Sequence, residues 1–165
     1  ASGGTDIYGR QQIETASFDL RMSGGSDGKL EVKSEKTNIR LSGGSDLELN
    51  LKGHSLHIDA SGGSDTELTL EKLQEVVCQL SGGADANVIG SAAILKLNTS
   101  GGSDFNARGF KVKKATVNAS GAADATLNVS EEIAVSASGA SSIRSTGGAK
   151  VVKQDIDMSA SFRMN

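Results

Sequence analysis

The stretch Thr37-Asn38-Ile39-Arg40-Leu41-Ser42-Gly43-Gly44-Ser45-Asp46-Leu47-Glu48-Leu49-Asn50-Leu51 decides the fold. Ile39 and Leu41 alternate with Asn38 and Arg40 before the pentapeptide Ser-Gly-Gly-Ser-Asp, and Leu49 and Leu51 alternate with Glu48 and Asn50 after it. Period-two alternation of apolar and polar residues is the pattern of a strand with one buried face. The Gly pair lets the backbone bend where a Cβ would clash.

Working outward, the pentapeptide or a close variant occurs eight times, starting at Ser2, Ser23, Ser42, Ser61, Ser81, Ser100, Ser120 and Ser138. Successive gaps of 21, 19, 19, 20, 19, 20 and 18 residues are too regular for chance Gly-rich loops. The alternation recurs with the motif. Ile39, Ile58, Cys78, Leu97 and Val117 share one column three residues before it. Leu30, Leu49, Leu68 and Val88 share another after it, and Val32, Leu51, Leu70 and Val129 a third, with Gly90 and Gly109 as gaps. The small fourth residue of the motif (Ser26, Ser45, Ser64, Ala84, Ser103, Ala123) is expected to face inward, and its first Ser and final Asp outward. The first Gly of each copy (Gly24, Gly43, Gly62, Gly82, Gly101, Gly121) is expected to be structural: it sits at an inward corner or needs a backbone shape closed to other residues.

Each repeat then reads as strand, Gly bend, strand and a polar turn, such as Lys33-Ser34-Glu35-Lys36 or Lys52-Gly53-His54-Ser55. One repeat cannot bury its apolar face alone, but stacked repeats form a continuous core. The period is half of a propeller blade, lacks the sub-period of a hexapeptide β-helix, and leaves no room for the second half of a leucine-rich repeat. The fold expected is all-β: a single parallel β-helix, or β-solenoid, of about seven to eight coils of 18–21 residues, about 35 Å long. It occupies residues 1–165 as one domain, with repeats over 1–148 and a divergent C-terminal capping strand over 149–165, where Ile156, Met158, Ala160, Phe162 and Met164 alternate with polar residues. The chain begins inside a motif, so a preceding half-coil is expected upstream of Ala1.

Composition narrows the function. Lys plus Arg is 17 against 20 for Asp plus Glu, a net charge of −3, without the basic excess of a nucleic-acid binder. Five aromatic residues (Tyr8, Phe18, Phe105, Phe110, Phe162) are too few for a stacking platform. One Cys excludes an internal disulfide and a multi-thiolate metal site. No apolar run approaches the roughly 20 residues of a membrane span.

The recurring Ser-Gly-Gly-Ser-Asp, with its Gly-Ala variants and flanking alternating strands, resembles the head GIN domain family of auto-transporter adhesins. The resemblance covers roughly residues 1–148 and rests on the multiplicity of the motif. It implies a right-handed parallel β-helix in an exported or surface-associated bacterial protein, and brings no catalytic residues with it.

The Asp column is the strongest chemical feature of the sequence. Asp6, Asp27, Asp46, Asp65, Asp85, Asp104 and Asp124 end successive motifs. Stacked carboxylates about 5 Å apart repel by roughly 1 kcal/mol in water and about 3 at an effective dielectric of 20. Local compensation is expected, with each Asp accepting hydrogen bonds from bend amides or motif Ser hydroxyls. Stability should then fall in acid and ignore Ca²⁺. A metal row on Asp46, Asp65, Asp85 and Asp104 is the weaker reading, because Ca²⁺ takes six to eight oxygen ligands and each coil supplies one carboxylate. His54 and His57 lack a third ligand and read as solvated. Cys78 reads as a core hydrophobe and Lys111, Lys113 and Lys114 as a solvated basic turn. The Asn-X-Ser triplets at Asn98, Asn118 and Asn128 arise from the repeat.

The expected function is a non-enzymatic, exported or cell-surface β-solenoid acting as an adhesin or envelope scaffold, located outside the cell, at its surface or in the periplasm. It is expected to need no cofactor and to have no catalytic residues. Its partner would be a host or envelope glycan or protein, not nucleic acid. The alternatives are a carbohydrate-active β-helix enzyme of the pectinase type, a carbohydrate-binding module, or an ice- or mineral-binding face. A uniform repeat without an inserted loop argues against a catalytic cleft.

Overall fold

A computed structural model describes residues 1–165. It contains eleven strands and no helix. These are β1 (Ile7–Tyr8), β2 (Ile13–Gly24), β3 (Asp27–Gly43), β4 (Asp46–Gly62), β5 (Asp65–Gly82), β6 (Asp85–Thr99), β7 (Asp104–Ala119), β8 (Asp124–Ala137), β9 (Ser142–Thr146), β10 (Lys150–Ile156) and β11 (Ser161–Met164). All pairings are parallel, in the order β1-β3-β4-β5-β6-β7-β8-β9-β11, with β2 on β3 and β10 on β8. The molecule is a β-solenoid of about eight coils. No helix is long and apolar enough to cross a membrane.

The register is that of the repeat. Ile39 pairs with Ile58, Ile58 with Cys78, Cys78 with Leu97, and Leu97 with Val117. Leu49 pairs with Leu68 and Leu68 with Val88. These side chains are buried, within one hydrophobic cluster of 39 residues that runs through the coils. The fourth motif residue is inward in every copy from Ser26 to Ser141. Its hydroxyl closes the corner by donating to the carbonyl of the motif's first Ser: Ser45 Oγ to Ser42 O at 2.8 Å, Ser103 Oγ to Ser100 O at 2.9 Å, Ser141 Oγ to Ser138 O at 2.8 Å.

Four expectations are corrected. The segments Lys33–Lys36 and Lys52–Ser55 are not unpaired turns but corners carried within continuous strands, because their backbone groups pair with the neighbouring coil whatever the side chains are. Lys111, Lys113 and Lys114 likewise lie within β7, where Lys113 meets Glu131 at 3.8 Å and Lys114 meets Glu132 at 2.9 Å. Gly109 does not leave a gap in the core: the register shifts after Asn87, Gly90 pairs with Phe110, and the buried Phe110 ring fills the column. The C-terminal segment is two strands, β10 and β11, with Met158 fully exposed between them, so the parallel stack continues to the end of the chain.

Two buried hydroxyls, Thr37 Oγ1 and Thr66 Oγ1, have no hydrogen-bond partner. Both residues stand in apolar columns, Thr37 beside Leu56 and Thr66 beside Leu47. A buried hydroxyl without a partner costs about 1–3 kcal/mol. Thr37→Val and Thr66→Val keep the side-chain shape and remove that group, so each should raise the urea midpoint, by about 1 kcal/mol in free energy.

Candidate functional site

The Asp column is formed as the repeat requires. Asp27, Asp46, Asp65 and Asp85 are successive register partners, and Asp104 partners Asp124. Their carboxylates face outward. They are not satisfied by their own bends, which overturns the expected local compensation. The amides of Asp46, Asp65, Asp85 and Asp124 already donate to carbonyls of the preceding coil, at Ser26, Ser45, Ser64 and Ser103. The fourth-position Ser hydroxyls donate to carbonyls within their own motifs. One backbone amide does reach a carboxylate in the column, Asp104 N to Asp85 Oδ1 at 3.1 Å.

Two carboxyls of the row, Asp65 and Asp104, resist ionisation. The Asp65 carboxyl is held above the usual range by loss of solvent, and further by Asp46 and Asp85 on either side. Asp104 is raised for the same reason, with Asp85 and Asp124 adding to it. A carboxyl whose folded pKa is raised binds its proton more readily folded than unfolded. Stability therefore rises as pH falls through the interval between the two values. Melting followed by circular dichroism should show a midpoint that climbs as pH is lowered from 7 towards the ordinary Asp value. Asp65→Asn should raise the midpoint at pH 7 and flatten that climb. A midpoint that falls steadily over the same range would mean that bonds to the carboxylates outweigh their repulsion.

No group of three or more His, Cys, Asp or Glu side chains converges in a metal-holding arrangement. His54 is exposed and His57 half-buried, with Asn38 and Val77 as the register partners of His57. Cys78 is fully buried in the core, which pushes its thiol up to about 12 and leaves it un-ionised.

The face that precedes each motif carries a second polar row, which alternation alone marked only as outward. Arg21, Arg40, Asp59, Gln79, Asn98 and Asn118 are successive register partners. Beside them runs the row of half-buried first Ser residues. Three shallow depressions border this polar row, two of them sharing the Arg coils. One of about 200 Å³ is lined by Asn38, His57, both Arg residues and Asp19, whose carboxylate accepts from Asn38 Nδ2 at 2.8 Å. One of about 360 Å³ lies over Arg21, Arg40, Ser42 and Ser61 and reaches Asp59. One of about 350 Å³ runs from Asp59 over Gln79, Asn98 and Asn118 towards Ser138. The signal in the sequence was there: two Arg and then three amides at one offset from the motif.

Other outward charges form six exposed Lys–Glu pairs between coils, including Lys29–Glu48 at 2.7 Å and Lys52–Glu71 at 3.1 Å. Exposed pairs of this kind contribute about 0–1 kcal/mol each.

Comparison with known proteins agrees with this geometry. Among solved structures, the chain is similar to a crystal structure described as a "Putative lipid binding protein" from Parabacteroides distasonis ATCC 8503. The TM-score is 0.84 with 19% identity, covering 89% of this chain and 61% of that one. The chain thus spans about three fifths of that structure, and at this identity the likeness is one of fold. A search of curated proteins finds no match. One family matches twice, over residues 1–88 and 50–149, and the overlap is what a repeat of near-constant period allows. The chain belongs to that family, described as "Putative auto-transporter adhesin, head GIN domain".

Proposed function

We propose that this chain is a non-enzymatic, exported or cell-surface β-solenoid that acts as a binding head or envelope scaffold, folding over residues 1–165 as a single domain. The observation that carries the reading is the uniformity of the stack. Strands β2 to β9 are joined by only two to four residues, so no inserted loop walls off a pocket. A catalytic site in a repeat fold ordinarily breaks the repeat, and the outward carboxylates here form a regular row instead. Binding through a long, regular face suits a stack of identical coils, as in other solenoids.

The description of the similar structure raises lipid binding. The interior of this chain is filled by its 39-residue core, so a lipid would have to lie on the outer surface. The outer rows are Asp, Glu, Lys, Asn and Ser, which favours a hydrophilic partner such as a glycan or a protein. The Asp column is assigned no metal, because each coil contributes a single carboxylate.

The test is a glycan array and intact-cell binding screen with the purified chain, run beside hydrolase and lyase assays on polyuronates and neutral polysaccharides. Retention on glycans or cells without reducing ends or unsaturated products is the expected result. Turnover that disappears on Asp59→Asn would establish an enzyme and overturn the reading.

A further inference from the structure

On the outward faces of this solenoid opposite charges meet in some rows and like charges in others, as in the Asp column, at Lys33 and Lys52, and at Arg144 and Arg163. Lys residues stand against Glu of the neighbouring coil, with Lys29 and Glu48, Glu14 and Lys33, Lys52 and Glu71, and Lys114 and Glu132 as direct register partners. Arg21 and Arg40 are also direct register partners, about 4.8 Å apart along the stack. Both are exposed, and neither takes part in an ion pair. Asp59 follows Arg40 in the same row, yet its carboxylate lies beyond ion-pair distance. In a chain of net charge −3, two unpaired guanidinium groups side by side form a local positive site. Two guanidinium forks on one face suit a carboxylate, which each can bind through paired N–H donors.

The site does not stand alone. It borders two of the three depressions, and the third continues from Asp59 along the amide row. There Asn118 Nδ2 donates to Asn98 Oδ1 at 2.8 Å. That bond uses one N–H of Asn118 and one lone pair of Asn98 and leaves their remaining donors and acceptors free for hydroxyls. Among the lining residues of the third depression only Leu80 and Ala119 are apolar, so it offers no slot for an acyl chain. The rise per coil is about the length of one pyranose unit, so successive coils meet successive sugars.

We propose that this strip binds a linear glycan lying along the solenoid axis, with Arg21 and Arg40 holding the carboxylate of an acidic sugar and Gln79, Asn98 and Asn118 holding the hydroxyls of its neutral neighbours. The proposal deepens the reading of the chain as a binding head and rests on it. Asp59 limits the anionic end to the two Arg coils and repels a second carboxylate beyond them.

Calorimetry with linear oligosaccharides of neutral sugars that carry a single terminal uronate tests this against the same oligosaccharides after carboxyl reduction and against phosphatidylglycerol vesicles. The unmodified chain should bind the acidic oligosaccharides. Carboxyl reduction should weaken binding about tenfold, and so should the double variant Arg21→Gln with Arg40→Gln. Asn98→Ala with Asn118→Ala should weaken the acidic and the reduced forms alike, whereas Lys29→Gln, on another face, should leave both unchanged. Unaltered melting midpoints would show that the exposed substitutions keep the fold. Absence of binding to the acidic oligosaccharides, equal binding by the Arg double variant, or preference for the vesicles would overturn the site. If the chain still captures cells or arrayed glycans while the Arg variant behaves as the unmodified chain, the site fails and the binding-head reading stands. If no cell or glycan is captured, that reading itself fails.

Discussion

Leu49→Asp is expected to abolish the folded protein. Leu49 is completely buried, in a column between Leu30 and Leu68. Its neighbours in that column are apolar, so an introduced carboxylate finds no donor. An isolated charge in such a place is far costlier than a lost methyl group, and it either unfolds the chain or forces protonation. Domain stabilities of about 5–15 kcal/mol do not survive that cost. Parallel stacking makes the damage non-local, because each coil buries its apolar edge only against its neighbours. Expression of the variant should yield insoluble protein, or soluble protein without the strand circular dichroism of the parent. A graded series separates charge from volume: Leu49→Ala should cost about 2–5 kcal/mol and Leu49→Met less than about 1.5. A soluble, cooperatively melting Leu49→Asp protein at pH 7 would contradict the register.

The core columns were legible because a one-residue slip in any strand would turn its whole apolar set outward, and eight copies repeat the same answer. Cys78 could be placed between Ile58 and Leu97 from spacing alone, and it is there. What the spacing could not give was the backbone between columns. A polar tetrapeptide such as Lys33–Lys36 carries the composition of a turn, but in a solenoid its amides have a partner one coil away and the strand runs on. Phe110 enters the core through a register shift, which leaves no trace in side-chain alternation. The Asp row was legible in position and misjudged in chemistry. Bend amides have two possible acceptors, the side chain beside them or the carbonyl of the previous coil, and only the stacked geometry shows that the carbonyl wins. The Arg and amide row was likewise visible as letters, but the depressions beside it depend on the stacked geometry, which side-chain pattern does not encode.

The motif glycines give the second large expected effect, and here the structure selects between two reasons. Gly62 is exposed, so it does not occupy an inward corner. It is required by its backbone: its φ is +80°, and the five equivalent glycines from Gly24 to Gly121 lie between +75° and +78°. A second constraint adds to the first. A Cβ at Gly62 would come within 2.9 Å of Gly43 O and 3.0 Å of Gly43 N in the coil before, both backbone atoms that cannot rotate away. The left-handed conformation costs a non-Gly residue about 1–3 kcal/mol, and a β-branched one more. The clash would also press on the corner ladder, where Gly63 N donates to Gly43 O at 2.9 Å. Gly62→Val should therefore lower stability by about 3 kcal/mol or more, well beyond the roughly 1 kcal/mol of a simple propensity change. The second Gly of the motif supplies the control. A Cβ at Gly63 would meet nothing within 4 Å, and Ala122 already stands at that position in a later copy. Gly63→Ala should be neutral, or stabilise by about 0.4–1 kcal/mol through a less flexible unfolded chain. Urea melts of the two variants should thus move in opposite directions or differ severalfold in size. Equal shifts would show that the bend tolerates a side chain at either glycine, and that the corner is held by the Ser hydroxyls instead.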